Sequence, residues 1–177
     1  MTMNDVDTGH TAAPFKVGIL TLSDRSAAGI RPDASGPNVQ DALKQQLAHA
    51  FEVAVYEVIP DDRKQIEQKL VEWADGLKLN LILTTGGTGV APRDVTPDAT
   101  LAVIEKQVPG MAEAMRAYSL QKTPMAVISR AVAGIRGQTL IVNLPGSPKG
   151  ARESLEAIIA ALPHALEKLM DNPADCA

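Results

Sequence analysis

Short apolar runs of strand type alternate with amphipathic helical stretches from residue 15 to residue 170, and few folds accept that order. Phe15 to Leu22 (FKVGILTL) reads as a strand, and residues 36–50 carry Val39, Ala42, Leu43, Leu47 and Ala50 at helical spacing. Phe51 to Ile59 alternates like a half-buried strand, residues 63–75 place Ile66, Leu70, Val71 and Trp73 on a helical face, and 79–85 is again strand-like. Helices are expected at 97–106 and 109–121, each started by a proline, and strands at 124–129 and 139–143. A last helix runs from Ser147-Pro148 to about Met170, with Pro163 predicting a break near 159–163. The pattern predicts one α/β domain over 15–170, three layers deep, on a mostly parallel sheet.

Length and content agree with this. The chain has 177 residues, 45% of them apolar but only 3% aromatic, so Ala, Val, Ile and Leu must build the core. No run approaches the roughly 18 apolar residues of a membrane span, and the start carries neither a basic leader nor an apolar stretch. A cytoplasmic location without membrane contact is the expectation, and the single cysteine, Cys176, fits a reducing compartment. Residues 1–14 and 171–177 read as tails, the second acidic. They hold Asp5, Asp7, Asp171 and Asp175 and no basic residue, so the net charge of −4 leaves 17 acidic against 17 basic residues between them. A neutral body speaks against nucleic acid as a partner. His10, His49 and His164 share no ligand spacing, so any metal should be a hard ion on carboxylate, phosphate and water.

In an open parallel sheet, ligands bind beyond the carboxyl ends of the strands, which directs attention to the loops after Leu22, Ile59, Thr85, Ser129 and Asn143. The richest is Thr84-Thr85-Gly86-Gly87-Thr88-Gly89, whose glycines let backbone approach a ligand and whose N–H groups and hydroxyls suit phosphate. It matches neither the Walker loop nor the dinucleotide fingerprint. In the continuation Pro92-Arg93-Asp94-Val95-Thr96-Pro97-Asp98, Arg93 can neutralise an anion and Asp94 can ligate a hard metal. Asp98 reads as a first-turn helix carboxylate. Of Asp61 and Asp62, one caps the helix at 63 and the other faces the cleft. Ser23-Asp24-Arg25-Ser26, Ser129-Arg130 with Arg136, and Leu144-Pro145-Gly146-Ser147-Pro148 complete the edge, Ser147 doubling as a helix cap. These residues favour a phosphate-bearing small molecule with Mg²⁺.

At TLSDRSAAG (21–29), SGPN (35–38), IPDD (59–62), LTTGGTGVAPRDVTPDAT (83–100), SRAVAGIRG (129–137) and LIVNLPGSPKG (140–150) the chain closely resembles the MogA/MoaB family of molybdenum-cofactor biosynthesis, to which gephyrin G domains also belong. The resemblance implies a homotrimer that transfers AMP from Mg-ATP to the terminal phosphate of molybdopterin, releasing pyrophosphate. The adenylylated product would pass to a molybdenum insertion protein. The family's two important aspartates match Asp61 and Asp94, as catalytic and metal-binding groups. Its pterin and nucleotide loops match Thr85, Gly86, Gly87, Thr88 and Gly89, and Pro145, Gly146 and Ser147, with Ser23, Asp24, Arg93, Ser129 and Arg130 nearby. Two other readings compete: a non-catalytic molybdopterin carrier of the MoaB type, and a CinA-type hydrolase of nucleotide-like compounds. Asp61 and the RDVTPD block favour transfer over the carrier, and RDVTPD with LPGSP favours the cofactor branch over the hydrolase.

Overall fold

A computed structural model describes residues 13–47 and 49–170. The two expected tails, 1–14 and 171–177, lie outside the described residues except for positions 13 and 14. Among the described residues, six strands form one sheet: β1 (Phe15–Leu22), β2 (Phe51–Ile59), β3 (Leu81–Thr85), β4 (Lys106–Gln107), β5 (Ala133–Arg136) and β6 (Thr139–Leu144), in the order β2-β1-β3-β6-β5-β4. β2, β1, β3 and β6 run parallel, whereas β5 is antiparallel to β6 and β4 to β5. The sheet is thus mostly parallel, as expected.

The helices are α1 (Asp24–Ala27), α2 (Ser35–Leu47), α3 (Arg63–Val71), α4 (Thr96–Val103), α5 (Pro109–Leu120), α6 (Pro148–Ile158) and α7 (Leu162–Leu169). Side chains of successive strand residues point to opposite faces, and the core divides accordingly. Val17, Ile19, Leu81, Leu83, Leu140 and Val142 pack with α2, α5, α6 and α7 on one face. Leu20, Leu22, Ile82 and Ile141 pack with α3, α4 and Trp73 on the other. Burial on both faces explains why β3 and β6 read as mainly apolar runs without alternation, while the edge strand β2 alternates. Gly18 sits in the second layer because a Cβ there would come within 2.6 Å of Trp73 and Leu79.

The chain differs from the sequence reading in several places: the helix expected at 97–106 ends at Val103, and Lys106 already belongs to β4. Pro124–Ile128, expected as a strand, is a 3₁₀ turn: Thr123 Oγ1 caps it by accepting from Met125 N–H, and Met125 and Val127 are exposed instead of pairing. The expected loop 129–137 contains β5, which folds back on β6 through Gly137 and Gln138. Because β5 runs antiparallel, Arg136 lies at the opposite edge from the strand-end loops, bonded to Asp75 and to the Val103 carbonyl. It does not add charge to the site. The Pro163 break is present as a 3₁₀ turn at Ile159–Ala161, with Pro163 in the first turn of α7.

The topology creates a crevice. From β1 the chain crosses to its neighbour β2 on one side, whereas from β3 it moves on towards β4, β5 and β6 on the other. The loops leaving β1 and β3 therefore part from each other at their carboxyl ends, where open sheets bind ligands.

Candidate functional site

The loop after β3 forms the centre of the site. Gly86 and Gly87 both have positive φ, 110° and 62°. A Cβ on Gly86 would come 2.3 Å from the Leu22 carbonyl oxygen, and one on Gly87 would come 2.4 Å from Thr96 Oγ1 and 3.1 Å from Asp61 Oδ1. Only glycine allows this approach. Thr96 Oγ1 donates to the Gly86 carbonyl at 2.9 Å, and Thr100 Oγ1 donates to the Thr96 carbonyl at 2.9 Å. The fully buried Asn143 donates to Thr100 Oγ1 and Thr84 Oγ1 at 2.9 and 3.0 Å, which ties β6 and α4 to the end of β3. Buried polar groups of this kind are costly unless satisfied, and this network satisfies them. Thr85 Oγ1, expected to face phosphate, donates to the Pro145 carbonyl at 2.7 Å and so joins the two strand-end loops.

Two cavities flank this loop. The larger, about 400 Å³, opens at the crevice between β1 and β3 and is polar. Of the expected residues, Ser23, Asp24, Asp61, Thr85, Gly86, Gly87, Arg93, Asp94 and Gly146 line it. The smaller, about 260 Å³, is largely apolar and lies between the glycine loop, α5 and α6. Thr88, Gly89, Ser129, Pro145 and Ser147 line that one, together with Met115, Arg116 and Met125, which the sequence reading did not single out.

Local signals place the acidic groups. Asp62 caps α3 by accepting from Gln65 N–H at 2.9 Å, which leaves Asp61 to the larger cavity. Asp61 and Asp24 exchange bonds: Asp24 N–H donates to Asp61 Oδ2 at 3.0 Å and Asp61 N–H to Asp24 Oδ1 at 3.1 Å. The Arg93 guanidinium pairs with Asp24. Asp94 Oδ2 accepts from Ala91 N–H at 2.8 Å. Burial pushes the Asp61 carboxyl above its ordinary value, and the neighbouring Asp24 and Asp94 charges add to that, against the Asp24 N–H bond and Arg93. An acid whose charged form is disfavoured in this way marks a place where a cation would be favourable.

Among the described residues no group of three or more His, Cys, Asp or Glu side chains could hold a metal ion. The donor set still fits Mg²⁺, which binds through one or two carboxylates and keeps its other positions for water and phosphate. Asp61 and Asp94 supply hard oxygens to one cavity already lined by the glycine loop.

Arg130 takes a supporting place. Its side chain donates to the Gly89 carbonyl at 2.9 Å, to the Asp94 carbonyl, and to both Asp98 oxygens at 3.2 and 2.8 Å. That first-turn carboxylate of α4 is held below its usual range chiefly by the Arg130 bond. Arg130 therefore clamps the 89–98 loop. Ser147 caps α6 by accepting from Gly150 N–H at 3.2 Å, as its position before Pro148 implied. Asp33 was missed, although its place two residues before the first turn of α2 is a capping signal. Its carboxylate accepts from Thr21 Oγ1 and Tyr56 Oη, both at 2.6 Å, and from the N–H groups of Ser35 and Gly36 at 2.9 and 3.1 Å. Burial raises its pKa, but these four bonds outweigh it and hold the carboxyl below the ordinary value. Burial and Asp33 together push the Tyr56 hydroxyl up to about 12. Ser35 Oγ in turn donates to the Gly146 carbonyl at 2.7 Å, so the start of α2 positions the loop after β6.

Residues 18–164 match a family model described as "Probable molybdopterin binding domain". The chain is 44% identical over 156 residues to a molybdopterin adenylyltransferase of Helicobacter pylori, covering 88% of each protein. It is 46% identical over 144 residues to one of Escherichia coli, covering 81% of this chain and 73% of that protein. The solved structure of the molybdopterin biosynthesis enzyme MoaB from Thermus thermophilus superposes with a TM-score of 0.83 at 54% identity, over 89% of this chain and 97% of that one. The match spans nearly the whole described chain: it belongs to the molybdopterin-binding domain family of molybdenum-cofactor biosynthesis.

Proposed function

We propose that this protein is a molybdopterin adenylyltransferase, which moves AMP from ATP to the terminal phosphate of molybdopterin. The observation that carries the reading is one glycine-rich loop walled on one side by a polar cavity with Asp61, Asp94 and Arg93, and on the other by an apolar one. Relatives covered over most of their length bear this activity in their names, which favours it over the carrier and the hydrolase.

A phosphate oxygen of molybdopterin forms a bond to the α-phosphorus of ATP, the bond from that phosphorus to the β-phosphate oxygen breaks, and pyrophosphate leaves with the electron pair. No side chain need remove a proton, because the attacking oxygen is already ionised near neutral pH. The chain's task is to bring two anions together and hold them in line. The glycine loop orients the phosphates, Arg93 flanks them while paired with Asp24, Ser23, Asp24 and Gly146 bound their space, and Thr88, Gly89, Ser129, Pro145 and Ser147 shape the adjoining cavity. Asp61 and Asp94 would hold Mg²⁺, and bound magnesium supplies charge neutralisation on the departing pyrophosphate. Arg130 keeps Asp94 in place through the loop carbonyls.

Protein incubated with ATP, Mg²⁺ and molybdopterin should release pyrophosphate and form the adenylate. Tight pterin binding without AMP transfer would replace this reading by the carrier. The same reading makes the protein a cytoplasmic homotrimer that hands its product to a molybdenum insertion protein. Exposed Met125, Val127 and Ile128 supply apolar surface suited to assembly. Light scattering should give about three times the 18.7 kDa subunit mass, and a value of one subunit would contradict the trimer.

A further inference from the structure

The larger cavity is lined by four aspartates and three arginines, Asp24, Asp33, Asp61, Asp94, Arg25, Arg31 and Arg93, and their pairings leave an imbalance. Arg93 is taken by Asp24, and the Asp33 carboxylate is filled by four neutral donors. Arg25 and Arg31 are thus left, among the described residues, without an ion pair at the cavity wall. The backbone between them doubles back. Ile30 N–H and Arg31 N–H both donate to the Arg25 carbonyl, at 2.9 and 3.3 Å, so the two arginines meet although five residues separate them in sequence. Both ends of that segment are pinned: Ser23 Oγ accepts from Ser26 N–H at 3.2 Å, Asp24 is bonded to Asp61, and Asp33 is anchored to β1, β2 and α2. One folded-back segment therefore brings two guanidinium groups to the same polar cavity, with no acid of their own to neutralise them.

We propose that Arg25 and Arg31 form a polyphosphate arm that takes the phosphates of ATP destined to leave as pyrophosphate, in the cavity that Asp61 and Asp94 also line. Guanidinium forks bind phosphate oxygens in pairs, and two adjacent forks match a chain of two phosphates better than a single one. The assignment rests on the adenylyltransferase reading for its substrate, but its binding chemistry can be tested without turnover.

Calorimetric titration of the full chain with inorganic pyrophosphate, magnesium present, supplies that test. Wild type should bind, Arg25→Gln and Arg31→Gln should each weaken binding by about tenfold, and the double variant by more than either. Inorganic phosphate should bind more weakly than pyrophosphate and lose less in the double variant. Both side chains are exposed, so the variants should keep the wild-type unfolding midpoint. Lys44→Gln, which removes an exposed charge near the far end of α2, should leave pyrophosphate affinity unchanged. The arm is overturned if wild type does not bind pyrophosphate, if the double variant binds it within about twofold of wild type, or if Lys44→Gln weakens it equally. Parallel assays separate the two readings. Normal adenylate formation with unaltered pyrophosphate binding in the double variant removes the arm alone. Absent adenylate formation by wild type with the predicted binding loss removes the activity alone and leaves the arm standing.

Discussion

At single residues, the site is built from groups whose chemistry is spent on holding others. Asp33 is the clearest case. Its pKa in the folded chain lies below the ordinary 3.8, so the native protein holds this proton less tightly than the unfolded chain does. The stability it supplies is complete above 3.8 and drains away as pH falls through the lower folded value. Asp33→Asn should therefore lower the urea midpoint at about pH 7, with the gap to wild type closing as pH drops below 3.8. A gap of constant size down to about pH 3 would mean that shape, not charge, anchors α2. Gly87 offers a second test. Gly87→Ala forces alanine to a φ of 62° and drives its Cβ towards Thr96 Oγ1 and Asp61, whereas Gly137→Ala meets a similar φ of 54° with nothing within 4 Å. Both should lose about 1–2 kcal/mol of stability from the backbone, but only Gly87→Ala should also lose more than about tenfold in turnover. Equal turnover in the two variants would remove Asp61 from the chemistry.

At the level of elements, legibility followed burial. β3 and β6 were readable because both faces are buried, and α2, α3 and α6 because one face is. The strand expected at 124–129 shows the limit: Pro-Met-Ala-Val-Ile has the side chains of a strand, but the Thr123 cap and Pro124 in the first turn start a 3₁₀ turn there. β5 escaped because Ala133 and Gly134 have weak strand preference and their pairing is set by β6. The strand-end rule found the loops of the site, yet not Arg31, Asp33 or Met115, nor a role for Arg25, because membership depends on how loops distant in sequence meet. Arg130 belongs to the same class, a residue legible as a charge but not as a clamp. Its ion pair with Asp98 is 40% exposed on each side and contributes little to stability, about 0–1 kcal/mol, while its bonds to the Gly89 and Asp94 carbonyls fix the loop. Arg130→Met should leave the unfolding midpoint nearly unchanged, speed hydrogen exchange in 89–98, and lower kcat. A large fall in the midpoint with normal exchange in that loop would make the residue a global brace.

For the whole molecule, the division of labour between core and site decides how metal and nucleotide affect stability. Two apolar layers on a six-stranded sheet hold the fold, and the polar cavity opens at the strand ends, touching the second layer only at Leu22. Two carboxylates alone hold Mg²⁺ weakly, since the ion waits for phosphate oxygens to complete its shell. ATP alone meets the unneutralised Asp61 and Asp94. Each ligand should therefore bind poorly by itself, and binding stabilises a fold only in proportion to the logarithm of ligand over dissociation constant. Thermal unfolding should shift little with magnesium or with a non-hydrolysable ATP analogue alone, and by more than the two shifts together when both are present. Asp94→Asn should abolish that excess while leaving the unliganded midpoint near wild type. A full shift from magnesium alone would mean that the chain carries a closed metal site of its own. A full shift from the nucleotide alone would mean that arginines, and not a metal, balance the phosphates.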